Sequence, residues 1–366
     1  MMTGGRSGVI GGSLYSGMRL EGYANADLKW ETSEQIDLGL DLRFLNNALT
    51  FTADWFRKAT KDMLLQKKIP LYTGFPDMTI NGGTVLNTGV ELETSYRFAT
   101  GPVNWSLGAN ATYIKNVVVD QGPDREGLNQ LGGGMGGQIS FRENGFPYGY
   151  FFGYKTDGVF QTDEEAANSN QNVGGKPHAG DLRFKDVSGP DGVPDGKVDA
   201  NDRTMIGDPN PDWTFGFNLS VNWNGFDASA FFQGVAGNQI YRLYRRPNIT
   251  LGNFGAEWMG RWHGEGTSNT IPRVVEADEI NYQISDFFVE DGSYLRFKVA
   301  QIGYTLPEKL TRKVGIGALR FYLQGENLFT LTKYRGYDPE VGTRSGLDGG
   351  TYPQARIFSA GVNVKF

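Results

Sequence analysis

The sequence contains no cysteine and only two histidines, His178 and His263. The absence of cysteine excludes disulfide scaffolds, thiolate metal sites and cysteine nucleophiles. With only two histidines, most metal sites and general-base sites that depend on histidine are not expected. Neither lies in a recognisable motif with a serine or aspartate partner, so no catalytic constellation is apparent. We therefore expect that the protein is not an enzyme.

Long apolar runs and a basic surface are also missing. No stretch of about 18–20 consecutive apolar residues is present, which excludes a transmembrane helix. The net charge of −6 provides no broad basic surface, so a nucleic-acid partner is not expected. The opening residues, MMTGGRSGVIGGSLYSG, lack the basic and apolar regions of a signal peptide. They indicate either a cytoplasmic protein or a missing N-terminal segment.

Glycine, by contrast, is abundant, with 52 of 366 residues, about twice the usual ~7%. This share argues against a helical bundle. Several segments alternate between apolar side chains and small or charged ones, as β-strands with two different faces do. Each has about the ~9–11 residues with which a tilted strand crosses a membrane. The clearest are 36–44, 90–98, 103–113, 213–223, 295–306 and 358–366.

Alternation alone does not separate a soluble sandwich from a membrane barrel, because both have one apolar face. The connections between strands do separate them. Short turns at 46–47, 100–102, 224–225 and 307–317 alternate with long connections at about 66–83, 120–212, 236–286 and 330–353. Outer-membrane barrels alternate short periplasmic turns with long extracellular loops in this way. The sequence predicts an all-β fold, a transmembrane antiparallel β-barrel with nine clear strands and a weak tenth near Val9 to Arg19.

Two local features refine this prediction. In LRFKVAQIGYTL the apolar phase jumps between Val299 and Ile302, which predicts a β-bulge near Ala300 and Gln301. A single membrane crossing within 150–187 would break the alternation of loops. FFGYKTDGVF and GDLRFKDVSG are therefore predicted to form a hairpin inside an extracellular loop.

Five collinear stretches are more specific than this pattern. They are NADLKWETSEQIDLGLDLRFLNNALTFTADWFRKATKDML, GYFFGYKTDGVFQTDEE, GDLRFKDVSGPDGVPDGKVDANDRTMIGDPNPDWTFGFNLSVNWNGFDASAFFQG, DGSYLRFKVAQIGYTLPEKL and LRFYLQGENLFTLTKYRGYDPEV. Together they resemble the SusC/RagA-like TonB-dependent outer-membrane transporters of Bacteroidota. The resemblance covers nearly the whole chain from Asn25 to Phe366.

The resemblance implies a larger architecture. Members of this family carry a signal peptide, a carboxypeptidase-regulatory-like domain, a TonB box and a plug ahead of a 22-stranded barrel. The chain resembles only the C-terminal part, about 9–10 of the 22 strands, beginning near strand 13 or 14. Residues 1–24 would form a weak first strand and a loop. Residues 25–366 would form the barrel segment, with an extracellular insertion at about 120–212.

The resemblance also implies a function and partners. Such a protein lies in the outer-membrane lipid and imports oligosaccharides or peptides. A SusD-like surface lipoprotein caps its extracellular loops, and the TonB complex supplies energy through an N-terminal plug that this sequence does not contain. The alternative, from another class, is a truncated structural product without transport activity, or a calcium-binding surface β-domain. The identity of the substrate does not follow from the sequence.

The sharpest local motif is DVSGPDGVPDGKVDANDR, whose acidic residues have the spacing of an EF-hand-like calcium loop. Its candidate oxygen ligands are the side chains of Asp191, Asp195, Asp199 and Asp202, the carbonyl of Lys197, and Asp186 from the preceding turn. Val193 at position 3 and Asp202 at position 12 depart from the usual ligands. The sequence favours a calcium ion held weakly, on the order of 10⁻⁴ to 10⁻³ M, or else a solvated loop rich in Asx turns without an ion.

Aromatic residues cluster in two predicted loops. They offer stacking surfaces for a substrate or contacts for a lid, or they pack the loops against the barrel wall. The candidates are Tyr148, Tyr150, Phe152 and Tyr154 in the first loop, and Tyr241 and Tyr244 in the second. Trp258 and Trp262 have the pattern of packing residues. The glycine-rich stretch 131–137 has no phosphate-binding motif and is predicted to be a mobile loop.

Overall fold

The computed structural model describes residues 2–20, 22–123, 126–127, 138–243, 254–276, 279–342 and 346–366. The first eleven strands are β1 (Met2–Ile10), β2 (Ser13–Leu20), β3 (Thr32–Phe44), β4 (Leu49–Lys61), β5 (Leu64–Lys68), β6 (Asp77–Asn81), β7 (Thr84–Thr100), β8 (Val103–Asp120), β9 (Glu126–Gly127), β10 (Ser140–Arg142) and β11 (Tyr150–Gly153). The others are β12 (Thr156–Val159), β13 (Leu182–Phe184), β14 (Thr204–Gly207), β15 (Trp213–Trp223), β16 (Phe226–Ala236), β17 (Gln239–Arg242), β18 (Val289–Asp291), β19 (Tyr294–Thr305), β20 (Ala318–Thr332), β21 (Leu347–Asp348) and β22 (Ile357–Lys365).

Helices are short and lie between strands. The α-helices are α1 (Asp163–Ala167), α2 (Glu308–Thr311) and α3 (Pro339–Gly342). Single 3₁₀ turns occupy Leu71–Thr73, Ala200–Asp202, Ala256–Gly260, Asp286–Phe288 and Arg312–Val314. In the described parts of the chain, none of the helices has the length and apolar character needed to span a membrane.

Nine strands form one antiparallel sheet, called the main sheet below, in the order β22-β20-β19-β16-β15-β8-β7-β4-β3. Each strand of the main sheet pairs with the main-sheet strand that comes before or after it in the chain. The strands missing from this order lie in the connections or, as β1 and β2, ahead of β3. The nine strands predicted from alternation are therefore confirmed. The edges of the main sheet are β3 and β22, and neither pairs on its outer side with another strand among the described residues.

The two faces of the main sheet differ as the sequence predicts. Apolar side chains on one face point away from the protein: Leu38 is 67% exposed and Leu323 is 61% exposed. The other face is polar and internally hydrogen-bonded, as shown by the Thr52 hydroxyl, which donates to Asp41 at 2.7 Å. A water-soluble sandwich would bury its apolar face in a core. Exposure of the apolar face is instead typical of strands that face lipid.

All short turns lie at one end of the main sheet and all long connections at the other. The β15–β16 turn consists of Asn224 and Gly225, whose positive φ values of 46° and 87° suit a two-residue hairpin turn that glycine and asparagine tolerate. The long connections span 62–83, 121–212, 237–293 and 333–356. The loops are therefore collected at one pole of the molecule.

The structure differs from the sequence prediction in two places. The predicted weak strand near Val9 to Arg19 is a hairpin, because Gly11 and Gly12, with φ of 59° and 83°, reverse the chain between β1 and β2. The predicted β-bulge near Ala300 and Gln301 lies earlier, at Lys298. There the pairing of β19 with β16 steps from Phe297 directly to Val299. The change of apolar phase between Val299 and Ile302 therefore follows the bulge and does not coincide with it.

Candidate functional site

The long connections fold into an ordered layer, called the loop layer below, which comprises the described parts of 121–212, 237–293 and 333–356. Small sheets organise it: β14-β11-β10-β9, β12-β13 and β18-β17-β21. The β12–β13 pair joins FFGYKTDGVF to GDLRFKDVSG, as the predicted internal hairpin requires. The loop layer thus has secondary structure of its own.

Two hydrophobic clusters hold the loop layer together. The first contains residues from both 121–212 and 237–293. Among them are Phe151, Tyr241 and Phe288, each with no exposed surface. The second consists of Tyr154, Val159, Val173, Leu182, Phe184, Val198 and Ile280. Burial of this apolar surface stabilises the layer and makes it a rigid platform. The same burial raises the pKa of the Tyr154 and Tyr241 hydroxyls above their usual value.

An ion-pair group centred on Glu290 joins two connections within this platform. The Glu290 carboxylate lies 2.9 Å from Arg242 Nε and 2.8 Å from Arg335 Nη2. Arg242 also approaches Glu257 at 3.8 Å. Arg242 and Glu290 are almost fully buried, so the pairing compensates the cost of removing their charges from water. Three chain segments that are distant in sequence are fixed together at this point.

A cleft, called the loop cleft below, opens beside this ion-pair group and has a volume of about 360 Å³. Its walls combine aromatic, charged and hydroxyl-bearing side chains from all three connections of the loop layer. They include Thr156, Arg242, Trp258, Phe287 and Arg335. Concave sites with an apolar wall and a few polar groups are the usual form of small-molecule sites. The loop cleft is therefore the candidate functional site.

A second ion-pair group fastens the last connection to the main sheet. Arg296, on β19, places Nη2 at 2.5 Å from Asp338 Oδ1 and Nη1 at 2.7 Å from Glu340. Lys298 adds a contact of 2.9 Å to Glu340. Burial alone would raise the pKa of Asp338. Hydrogen bonds from Arg296 and from the N–H groups of Gln354 and Glu340 lower that pKa below its usual value.

The polar face of the main sheet carries a further cluster near the short-turn end. The Arg320 Nε atom donates to Asp227 Oδ1 at 2.8 Å, and its Nη2 atom donates to Gln301 at 2.9 Å. Gln301 in turn donates to Gln324 at 2.9 Å. Polar groups on this face are satisfied by their neighbours across the strands, as a hydrated barrel interior requires.

The structure places most of the predicted aromatic contact residues inside the loop layer. Tyr150, Tyr154 and Tyr241 are 1%, 6% and 0% exposed, and their rings have almost no surface to offer a ligand. Tyr148 and Phe152 are half-buried, and Phe152 lies under the Arg203 guanidinium at 4.8 Å. Tyr244 and the stretch 131–137 lie outside the described residues.

The two tryptophans that were expected to pack do so. Trp258 is buried and makes edge contacts with Phe254 and Phe287. Trp262 packs against the second hydrophobic cluster. Trp258 also lines the loop cleft, so it combines a packing role with a position at the site.

The acidic loop uses several carboxylates as backbone acceptors. Asp202 is 1% exposed and accepts from the N–H groups of Val187, Ser188 and Asp199 at 2.7, 3.1 and 2.8 Å. Asp195 accepts from Lys197 N–H at 3.0 Å, and Asp199 accepts from Asn201 N–H at 2.8 Å. Within the described residues no three acidic or histidine side chains are gathered so that they could hold a metal ion.

Asp186 and Asp191 complete the predicted ligand set. Asp186 Oδ2 accepts from Gly196 N–H at 2.7 Å, while its Oδ1 atom is buried without a hydrogen-bond partner. Asp191 is exposed. The calcium interpretation of this loop stays a prediction.

Of the residues that organise the loop cleft, only Arg242 lies in a cluster that stands out in the sequence, beside Tyr241. Glu290 and Arg335 belong to no motif and are 45 residues apart. Arg296 gives one usable signal, because it lies on the polar side of the alternating segment 295–306. A charged side chain at the loop end of a strand can form an ion pair with a residue of a loop.

Comparison with known proteins follows this geometry. A family model described as "TonB dependent receptor-like, beta-barrel" matches residues 4–328. TonB-dependent receptor P3 of Formosa agariphila is 34% identical and covers 98% of this chain, which aligns with 36% of that protein. TonB-dependent receptor SusC of Bacteroides thetaiotaomicron is 27% identical, with coverage of 98% and 34%.

Solved structures agree on the fold. The structure of the RagAB peptide transporter superposes with a TM-score of 0.79 at 23% identity, and it covers all of this chain and 38% of that one. The RagAB peptide importer in the "open-open" state gives a TM-score of 0.75 at 25% identity with the same coverage. The chain spans about a third of the length of the curated relatives it matches.

Proposed function

The chain belongs to the TonB-dependent receptor-like β-barrel family, and from this we propose that it takes part in the import of oligosaccharides or peptides across the outer membrane. Its place is the outer membrane, as for the SusC and RagA relatives. The observation that carries the proposal is the arrangement of the main sheet, which exposes apolar side chains outward, keeps a polar inner face and bears a folded loop layer at one pole.

The loop cleft is the proposed first contact for the substrate. Trp258 and Phe287 provide an aromatic wall, and Arg335, Asn269 and Thr270 provide polar groups at the opening. Aromatic faces and dispersed hydrogen-bonding groups suit both sugar rings and peptide bonds. Because three connections contribute to the cleft, a movement of any one of them changes its shape.

Two partners follow from the family. A SusD-like surface lipoprotein would cover the loop layer, and the TonB complex would supply energy through a plug. The relative named SusC and the solved RagAB peptide transporter support this assembly for the present chain. The folded loop layer is the surface such a lipoprotein would meet, and its exposed rings Phe254, Tyr337 and Tyr352 suit this role because aromatic residues are enriched at protein interfaces.

Filling the loop cleft tests the proposal. Thr270 is exposed at the cleft, so Thr270→Trp should occupy it without disturbing the core. In cells whose own transporters of this type have been deleted, uptake of labelled oligosaccharide and peptide mixtures should fall about tenfold or more, a loss of over ~1.4 kcal/mol of binding. Glu265→Trp, exposed in the same connection and outside the cleft, is the matched control.

The outcome depends on surface level as well as on uptake. Both variants should reach the cell surface in equal amounts, as judged by antibody labelling of intact cells. Unchanged uptake of every oligosaccharide and peptide in the Thr270→Trp variant would remove the cleft from the import path. Absence of uptake by the unmodified protein would refute import itself.

We also propose that the acidic loop 186–202 binds calcium, as its sequence spacing predicts. The buried, unpartnered Oδ1 atom of Asp186 supports this, because an uncompensated buried carboxylate oxygen is costly. Titration calorimetry of the full-length protein with millimolar calcium should give heat that is lost in the Asp186→Asn and Asp191→Asn variants. No calcium-dependent heat in the unmodified protein at that concentration would end this proposal.

A further inference from the structure

A second cavity lies in the loop layer, away from the loop cleft. Its volume is about 740 Å³, within the range of about 300–1,000 Å³ that small-molecule sites occupy. It is called the α1 pocket because helix α1 forms one wall. Its lining includes Ala166, Asn170, Asn172, Lys176, His178 and Lys197.

The walls of the α1 pocket are held in place by backbone contacts. Thr162 caps α1 by accepting from Glu165 N–H at 3.1 Å. Residues 170–172 lie beside residues 196–198: Asn170 Nδ2 donates to the Gly196 carbonyl at 3.1 Å, and Asn172 N–H donates to the Val198 carbonyl at 2.9 Å. This pairing brings Lys197 to the same cavity as Lys176, although they lie in different turns.

The charge of the pocket is positive. Lys176 and Lys197 are exposed and form no ion pair with any residue in the described ranges. The acidic group of the pocket, Asp163, already has partners: Ala179 N–H donates to it at 2.9 Å, and His178 Nδ1 lies at 3.5 Å. Two ammonium groups are therefore available to a ligand, and a carboxylate is a natural counter-ion.

The other groups in the pocket indicate what carries the carboxylate. The side chain of Asn172 is exposed and makes no hydrogen bond to a described residue. Asn170 uses its amide nitrogen on Gly196 and leaves its oxygen open. A carboxamide both donates and accepts, as a sugar hydroxyl does. Because its lining among the described residues holds no phenylalanine, tyrosine or tryptophan, the pocket offers no such ring to stack on the large aromatic side chains of a peptide.

We propose that the α1 pocket binds an acidic oligosaccharide, with its carboxylate between Lys176 and Lys197 and its hydroxyl groups on Asn170 and Asn172. This inference deepens the proposed import function and rests on it, because it assigns the class of substrate that the loop layer captures. The loop cleft and the α1 pocket would then be two separate binding sites on the route that the substrate takes.

The test uses the full-length protein in detergent and trigalacturonate as the probe. The double variant Lys176→Gln/Lys197→Gln removes both charges from exposed positions and should fold normally. Its Kd for trigalacturonate should rise about two- to thirtyfold, since it loses two exposed ion pairs. Lys155→Gln/Lys185→Gln, which changes two exposed lysines of the same connection outside the pocket, should leave the Kd unchanged.

Two matched ligands complete the design. The methyl ester of trigalacturonate keeps the sugar and removes the charge, so it should bind about as weakly as the acid binds the pocket variant. Raising the salt concentration from about 0.05 to about 0.5 M should weaken binding of the acid alone. Equal binding of acid and ester, or equal binding by the pocket variant and the unmodified protein, would overturn the proposal. So would triglutamate binding as tightly as trigalacturonate, because a peptide would then be the ligand.

Uptake measurements separate this inference from the proposed function. If cells import oligosaccharides or peptides but trigalacturonate binding does not depend on Lys176 and Lys197, import stands and the pocket assignment is overturned. If the cells import no oligosaccharide or peptide at all, the import function fails whatever the purified protein binds.

Discussion

At the scale of single residues, Asp202 has a structural role that its position in an acidic motif conceals. Its buried carboxylate receives three backbone N–H groups and caps the 3₁₀ turn Ala200–Asp202 reciprocally with Asp199. These hydrogen bonds join the end of the acidic loop 186–202 to its beginning at residues 187–188. The acidic loop is therefore ordered by its own carboxylates.

Asp202→Ala should destabilise the loop layer by about 2–4 kcal/mol, because buried donors would lose their acceptor. Thermal denaturation of the full-length protein, with limited proteolysis to locate the first cleavage, measures the effect. With calcium removed by a chelator, so that the proposed ion does not contribute, Asp191→Ala is the matched control, since Asp191 is exposed and should change stability by less than about 0.5 kcal/mol. Equal losses in both variants would contradict the assigned role of Asp202.

Neighbouring residues on β15 should respond in opposite ways to the same substitution. Leu219 belongs to the apolar face that points to lipid, and Asn218 belongs to the polar face. Leu219→Arg should therefore cost roughly 2–4 kcal/mol near the membrane midplane, whereas Asn218→Arg should cost much less. The yield of folded full-length protein in an outer-membrane assembly assay measures the difference, and equal yields would argue for a soluble sandwich.

At the scale of elements, the contact between β19 and the last connection is an electrostatic lock. Arg296 and Asp338 are each 3% exposed, and Lys298 at the bulge adds a second cation opposite Glu340. The bulge at Lys298 and the ion pairs of Arg296 lie within three consecutive residues of β19. The last connection is thereby fixed to a strand of the main sheet.

This lock should depend on pH in a defined direction. The pKa of Asp338 is lowered in the folded protein, so its contribution to stability is present above the usual aspartate value near 3.8 and is lost as the pH falls through the lower, folded-state pKa. Asp338→Asn should cost about 3 kcal/mol at neutral pH, and the difference from the unmodified protein should shrink in acid below that usual value.

Thermal denaturation of both proteins from neutral to strongly acidic pH measures this dependence. Glu164→Gln, an exposed carboxylate at α1, controls for general effects of charge. A difference between Asp338→Asn and the unmodified protein that stays constant as the pH falls would show that the carboxylate does not act through its charge.

Elements also show how far the sequence could predict the structure. Strict alternation gave the nine strands, because each strand of the main sheet has one apolar and one polar face along its length. The loop layer could not be predicted in the same way. Its strands are two to four residues long, and contacts such as Arg296 with Asp338 join residues 42 apart. Local patterns carry no information on such pairs.

The candidate site was predicted less well than the fold for a related reason. Aromatic residues attract notice as ligand contacts, yet Tyr150, Tyr154 and Tyr241 are buried, since a long connection without a core would not be ordered. The cleft and pocket are lined instead by residues such as Thr270 and Lys176. These residue types are common on all surfaces, so nothing marks them in the sequence.

At the scale of the whole molecule, the main sheet has two edges, β3 and β22, whose outer sides pair with no strand in the described part of the chain. In lipid each unsatisfied backbone group costs several kcal/mol, and open strand edges invite pairing with other chains. The 366-residue chain, produced alone and mixed with lipid vesicles, should therefore not insert as a protease-resistant monomer.

The longer relative SusC of Bacteroides thetaiotaomicron, treated identically, is the control and should become resistant to protease. Protease digestion with size-exclusion chromatography measures both properties. A stable, inserted monomer of the 366-residue chain would contradict the prediction, because it would require β3 and β22 to close on each other.

The long connection between β8 and β15 has a consequence for the order of folding. Every other pairing in the main sheet joins strands separated by a shorter connection, the next longest being 237–293, whereas β8 and β15 must meet across residues 121–212. Closing a flexible loop of that length costs on the order of 4 kcal/mol in chain entropy. Six of the seven residues of the second hydrophobic cluster lie inside this connection. Early collapse of that cluster would shorten the effective loop between β8 and β15. The connection 121–212, which stays outside the membrane, would therefore set the rate at which the strands before it pair with the strands after it.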